Sequence, residues 1–305
     1  MAGQRHGGRM KPRVLKCFVI SATLFGASPA RAQRDSVAEA RRMIDRELAP
    51  LDTSRLNILR QLSAERGTPR ADTSFWAWYG GYRGLVDSLT RGLQTEFVEV
   101  LVDPLGATGQ AVLRRLHEPT PSAESPRQIA VMDSVRALLR AHDVHATDAE
   151  GEVDYTPSDV AIRAEMGSSL GALSRRVLAL LALEERTPMG GDAAIAISWS
   201  ELADRLATAD DLRAHRLLPA ADTLIQGYYR SYLVAYLGAW DNTPGFDFNP
   251  PHELLPALRA SYERYVRTHS TTESGRIVQS YVELLRAHDW KRTPEIDDFI
   301  RRAPP

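Results

Sequence analysis

The sequence predicts a mainly α protein, either a helical bundle or an array of helical hairpins, with one small β-hairpin near residues 144–155. Three observations carry this expectation. Apolar residues recur at three- and four-residue spacing through most of the chain. Capping residues, prolines and glycines punctuate the periodic segments. Only one stretch alternates on both sides of a turn, "VHATDAEGEVDY" (144–155), the pattern of two short paired strands.

Residues 1–32 read as a cleaved signal peptide. Arg5, Arg9, Lys11, Arg13 and Lys16 form a positive leader, and an uncharged stretch of 14 residues follows from Cys17 to Ala30. Ala30-Arg31-Ala32 places small residues where a signal peptidase reads them, so cleavage is expected before Gln33. The stretch is shorter than the roughly 20 apolar residues that span a bilayer. Cys17 follows a lysine and precedes the apolar run, which excludes a lipoprotein signal. It is the sole cysteine, so the mature chain has no disulfide, no zinc-thiolate site and no cysteine nucleophile.

Six of the 38 Lys and Arg and none of the 39 Asp and Glu fall in residues 1–32, leaving 32 against 39 and a net charge near −7. An acidic exported chain is a poor match for nucleic acid or an anionic membrane. No later apolar run reaches membrane length; the longest helical one is "VLALLAL" (177–183). The expected location is the periplasm or the exterior. Residues 33–305 are long enough for one large, mostly helical domain. If there are two halves, the seam is the proline-rich "HEPTPSAESPRQ" (117–128).

The elements follow in order. Val37, Ala40, Ile44 and Leu48 mark a first helix, which Pro50 should stop. Asp52 or Thr53 caps a second, with Leu56, Leu59 and Leu62 on one face and Gly67-Thr-Pro beyond. A helical region runs from about Phe75 to Leu101, although "TEFVEVLVD" (95–103) also alternates like a strand. Val112, Leu113 and Leu116 belong to a short helix, and Ile129, Met132, Val135, Leu138 and Leu139 to a longer one ending near His142. After the β-hairpin, "TPSD" caps a helix and residues 169–186 form a buried one. "DAAIAIS" (192–198) is a strand or an apolar lead-in. Ser198 or Ser200 caps the helix that follows, and Glu201, three residues after Ser198, has the form of a capping box.

The last hundred residues read as successive helical hairpins. Leu255, Leu258, Tyr262 and Val266 make one face, and Ile277, Tyr281, Leu284 and His288 another; Ile296, Phe299 and Ile300 form a closing helix after Pro294. The passage "YERYVRTHSTTESGRIVQSYVELLRAHD" (262–289) loosely resembles the tetratricopeptide-type hairpins of exported bacterial proteins, and 212–239 has a similar layout. The resemblance covers at most a third of the chain and lacks a fixed 34-residue period. It implies an architecture of stacked hairpins.

Chemistry-bearing motifs are sparse. The acidic hairpin carries His142, Asp143, His145, Asp148, Glu150, Glu152 and Asp154, but Gly151 is misplaced for a calcium loop, and a solvated turn is the plainer account. Four His-acid dipeptides, at 117, 142, 252 and 288, sit near expected helix ends, where a histidine or an acid favours the terminal backbone groups. There is no HExxH, and "EMGSSLGA" (165–172) has the wrong spacing for a nucleophile elbow. "PLGATGQ" (104–110) lacks the lysine of a phosphate loop. No metal and no cofactor is expected. "SFWAWYGGY" (74–82) could line a sugar-stacking groove, yet its rings at helical spacing suit a core.

The remaining candidate is "YLGAWDNTPGFDF" (236–248), at the end of a tyrosine-rich helix. Tyr232, Tyr236, Trp240, Asp241, Asn242 and Asp247 are the candidate ligand-binding residues. The competing reading is a turn pinned by Asp and Asn, with Phe246 and Phe248 plugging the core. With no catalytic motif, the expected function is non-catalytic binding of a protein or peptide through helical-hairpin surfaces. The alternative is an exported hydrolase or lyase acting on a glycan or peptidoglycan in an aromatic groove, with Glu184, Glu185, Tyr232, Asp241 and His215 as candidate groups.

Overall fold

The computed structural model describes residues 29–97, 137–149, 152–191 and 193–303. Several expectations lie outside them: the signal segment up to residue 28, the larger part of the strand over 95–103, the helix at 112–116, the 117–128 seam and the helix from 129 to 136. The described chain is mainly α, as its periodicity predicts.

Helix α1 (Pro29–Glu65) and helix α2 (Pro69–Phe97) pack against each other along their length. The expected break at Pro50 does not occur; α1 runs straight through it. An interior proline costs a helix about 3 kcal/mol. The cost is met because Met43, Ile44 and Leu48 before it and Leu51, Ile58 and Leu62 after it are all buried on one stripe. Leu56, expected on the inner face, is 54% exposed, because continuing the helix through Pro50 turns that position outward.

A helical turn at 137–141 leads into the expected hairpin, β1 (Val144–Ala149) and β2 (Glu152–Pro157). Val144 lies opposite Pro157 and Ala149 opposite Glu152. Ser158 then caps α3 (Asp159–Met166), its Oγ accepting from the Ala161 N–H at 3.2 Å. A short 3-10 turn (Gly167–Ser169) joins α3 to α4 (Ala172–Arg186), which buries Val177, Leu178, Leu180 and Leu181. The segment expected as strand or lead-in contributes Ala194–Ile195 (β4), paired antiparallel with Gly190–Gly191 (β3).

Ser198 caps α5 (Trp199–Arg213) by accepting from the Glu201 N–H at 3.1 Å. The Glu201 carboxylate is committed to Arg205. Helices α6 (Pro219–Gly238), α7 (Pro256–His269), α8 (Glu273–Ala287) and α9 (Pro294–Arg302) complete the chain. The packing is pairwise: α3 on α4, α5 on α6, α7 on α8. Helix α2 also meets β2 and α6, α5 meets α7, and α9 lies on both α6 and α8.

The buried face of α8 is rotated from the expected one. It buries Ser274, Val278, Tyr281, Val282 and Leu285, whereas Ile277 and Leu284 are half-exposed. Those two sit on the side where α9 crosses, so α8 is apolar toward two neighbours rather than one. The interior is unusually rich in tyrosine: Tyr79, Tyr82, Tyr229, Tyr232, Tyr236, Tyr262, Tyr265 and Tyr281 are each below 2% or about 2% exposed. A buried tyrosine needs a partner for its hydroxyl, and where those partners come from organises the site.

Candidate functional site

The nominated stretch is a joint between helices. Helix α6 starts with Pro219 at its first turn and ends at Gly238, followed by Ala239 in the left-handed region at φ 58°. Leaving the helix this way exposes its last carbonyls. The Tyr262 hydroxyl of α7 donates to the Tyr236 carbonyl at 2.6 Å and caps that end. Tyr236 donates to Ser261 Oγ at 2.8 Å, and Ser261 passes the chain of bonds on to the Trp199 carbonyl at 3.2 Å. The Tyr236 and Tyr262 rings meet edge to face, 5.0 Å between centroids.

The turn beyond is fastened to the β3–β4 hairpin. The Asn242 N–H donates to the Ala193 carbonyl at 3.0 Å, and the Ile195 N–H donates to Thr243 Oγ1 at 2.9 Å. Trp240 packs over Gly190, where a Cβ would come within 2.6 Å of the indole Cζ3 and collide with the Ala194 carbonyl. Glycine is therefore required at 190 by close approach. Of the two phenylalanines expected to plug the core, Phe246 does so at 7% exposed, whereas Phe248 is 74% exposed. The Asp247 N–H bonds the Glu253 carbonyl at 2.8 Å, and the Asp247 carboxylate accepts from the Asn249 N–H at 2.8 Å. This pairing turns Phe248 outward.

The six nominated residues do not form one accessible surface. Tyr232 and Tyr236 are fully buried, Trp240 is half-buried, and Asp241, Asn242 and Asp247 are exposed. The alternative hydrolase set divides as well. His215 is exposed with Nδ1 2.7 Å from the Asp211 carbonyl, and Asp241 lies on the turn after α6. Only Glu184 and Tyr232 meet: the Tyr232 hydroxyl donates to Glu184 Oε1 at 2.5 Å.

That contact belongs to a larger interior network. Glu184 is ion-paired with Arg205, which also binds Glu201 Oε1 at 2.5 Å and the Thr187 carbonyl at 2.7 Å. Burial alone would pull Arg205 down, and the bonds to Glu201 and Glu184 more than offset it, so its guanidinium is held above its ordinary value. Burial, reinforced by the Glu184 charge, drives the Tyr232 hydroxyl far above its ordinary value. Tyr228 stacks on Tyr232 at 5.8 Å and is pushed up to about 12, chiefly by burial and then by Asp159 and Glu184.

Beside it lies a residue that the sequence did not single out. Asp159, first in α3, is 6% exposed and accepts from the Tyr79 hydroxyl at 2.5 Å. Arg83 donates to the same Tyr79 oxygen at 3.3 Å. Burial pushes the Asp159 carboxyl up to about 6; the Tyr79 bond and Arg83 pull it down, and Glu185 pushes it further up. Glu185 accepts from Ser158 Oγ at 2.7 Å and from the Val160 N–H at 2.8 Å. Two carboxylates thus share the N-terminus of α3, where the helix dipole favours negative charge. In the sequence Asp159 is an ordinary acid in a helix first turn; its partner Tyr79 lies 80 residues away, and no local pattern could have joined them.

The other sequence candidates resolve into packing. In 74–82, Phe75, Trp76, Tyr79 and Tyr82 are buried, and Trp78 stacks on Tyr82 at 4.5 Å while its Nε1–H donates to Ser54. "EMGSSLGA" forms the α3–α4 turn. Of the His-acid dipeptides, His288 caps the end of α8, His252 sets its Nδ1 3.1 Å from the Asp247 carbonyl, and His117 lies outside the described residues. His142 is the exception: its ring nitrogens lie 3.0 Å from Asp52 Oδ2 and 3.2 Å from Asp45 Oδ1 of α1. Among the described residues no group of three or more His, Cys, Asp or Glu is placed to hold a metal ion.

An accessible concave feature lies instead between α8 and α9. It is a groove of about 500 Å³. Ile277, Leu284, Phe299 and Ala303 form its apolar floor, and Arg276, Arg302, Glu295 and Asp298 line its sides. No protein-family model, curated protein or solved structure matches this chain.

Proposed function

We propose that this is an exported, non-catalytic protein that holds a peptide or protein segment along its terminal helical hairpin. The observation that carries the reading is the α8–α9 groove, with an apolar floor between charged walls. Its volume is within the usual range for binding sites, and a groove between two helices suits an amphipathic segment anchored by apolar side chains. The polar groups that a hydrolase would need at the nominated stretch are spent on each other: Tyr232 on Glu184, and Tyr236 on Ser261. The acidic balance disfavours nucleic acid, and among the described residues no helix is long and apolar enough to cross a membrane.

Two experiments test the proposal. Peptide display against the purified protein should enrich sequences with apolar anchors, and Leu284→Arg, which places a charge on the groove floor, should abolish their binding while leaving the circular dichroism unchanged. Enrichment that is equal on wild type and L284R contradicts the groove as the site. Intact-mass analysis of the protein recovered from the envelope or medium should give a chain beginning at Gln33. A full-length chain retained in the cytoplasm contradicts export.

A further inference from the structure

A second groove, of about 480 Å³, lies between α1 and α2. Its lining differs in kind from that of the α8–α9 groove. There, two arginines and two acids stand beside the apolar floor; here no lining side chain is charged. Ile58, Ala77 and Trp78 supply the apolar part. Ser54, Asn57 and Gln61 of α1 face Thr73 and Ser74 of α2. Helical spacing puts them there: Ser54, Asn57 and Gln61 recur at three and four residues, as do Thr73 with Ala77 and Ser74 with Trp78 at four. Each helix thus turns a neutral stripe to the groove.

The polar groups are held in place by bonds that leave defined capacity over. Trp78 is half-buried; its ring stacks on Tyr82 with centroids 4.5 Å apart, and its Nε1–H donates to Ser54 Oγ at 2.9 Å. Ser54 Oγ therefore already accepts a bond and has its own O–H proton to give. Ser74 is in the same state, because Gln61 Nε2 donates to its Oγ at 2.8 Å. The other Nε2 proton goes to Glu65 Oε1 at 3.2 Å, so Gln61 keeps its Oε1 as an acceptor. Thr73 donates to the Pro69 carbonyl at 3.3 Å and keeps its oxygen as an acceptor. Asn57 is exposed and adds an amide that both donates and accepts. The groove presents fixed, uncharged donors and acceptors beside an indole.

We propose that the α1–α2 groove binds a neutral saccharide, with one pyranose ring seated against Trp78 and Ala77. A pyranose has the matching make-up. Its C–H face is apolar and suits an indole and a methyl group, and each of its hydroxyls both donates and accepts. An ionic ligand would shed water in this groove and meet no opposite charge there. Among the described residues no carboxylate or histidine lines the groove, so no general acid or base is at hand and the sugar is held without being cut. The volume lies within the range of small-ligand sites. The site shares no residue with the α8–α9 groove and stands independently of the peptide reading.

The test is a saccharide titration of the purified protein, isotope-labelled at the tryptophan nitrogens and followed by nuclear magnetic resonance. The chain has five tryptophans, and Trp78→Phe identifies the Trp78 indole signal. Maltotriose, cellotriose and the N-acetylglucosamine trimer are the neutral probes, and the galacturonic acid trimer is the charged control. At least one neutral probe should shift the Trp78 signal at millimolar concentration, and the charged trimer should not. Ala77→Arg, at an exposed position of α2, fills the groove and should abolish the shift with the circular dichroism unchanged. Asn57→Ala should weaken binding about tenfold. Leu284→Arg blocks the α8–α9 groove and should leave saccharide binding intact, which separates this proposal from the peptide reading. A Trp78 signal that no neutral probe moves overturns the proposal, as does an equal shift with the charged trimer, an undiminished shift in A77R or a lost one in L284R.

Discussion

At the hairpin root, polar contacts are made by ionisable side chains: His142 with Asp45 and Asp52, Asp143 with Arg55, and Asp159 with Tyr79. At the contact between α6 and α7 they are made by hydroxyls and carbonyls: Tyr236 with Ser261, Ser261 with the Trp199 carbonyl, and Tyr262 with the Tyr236 carbonyl. The root carboxylates Asp45 and Asp52 are 55% and 44% exposed, whereas Tyr236 and Tyr262 are fully buried. They differ in the charge their partners carry. Burial raises Tyr236 and Tyr262 far above the ordinary tyrosine value, so both stay neutral across the physiological range. One molecule thus carries a joint of ion pairs kept partly in water beside a joint of neutral hydroxyls held wholly in the core.

Three substitutions separate the two regions. The largest effect is expected at the charged region. Arg55→Ala leaves Asp143 and Glu165 without their shared cation, and the urea midpoint should fall by the equivalent of about 2 kcal/mol, below the 3–5 kcal/mol of a fully buried pair because both acids remain partly wet. Next comes Tyr262→Phe at the hydroxyl region. It removes the cap from the end of α6 and should cost about 1 kcal/mol with no dependence on pH. The smallest is Tyr281→Phe. This hydroxyl is buried without a hydrogen-bond partner, so its removal should be neutral or slightly stabilising in the same assay. Equal losses from Y262F and Y281F would break the claim that the bond to the Tyr236 carbonyl, rather than burial of the ring, distinguishes them.

The parts of this design that were legible in the sequence are the local ones. Ser158 caps α3 and Ser198, one of the two serines open to the role, caps α5, because a cap is decided within three residues. The β1–β2 hairpin follows from alternation around one turn. Pro50 was misleading because a local rule gave way to burial on both sides of it. The tyrosines of α6 were visible as a stripe, but whether Tyr236 faced a ligand or Ser261 depended on α7, which arrives 25 residues later. His142 and Asp159 were the least legible, since their partners lie 80 to 97 residues away and on other helices. Phe248 was expected inside, and the Asp247–Asn249 turn places it outside.

The contrast between the two regions can be read directly by amide hydrogen exchange, resolved by segment and compared between wild type and Arg55→Ala. Protection over residues 144–162, the hairpin and the start of α3, should fall in Arg55→Ala more than protection over residues 225–238 and 256–266 of α6 and α7. A uniform loss across both regions, or a loss confined to α6 and α7, would contradict the account.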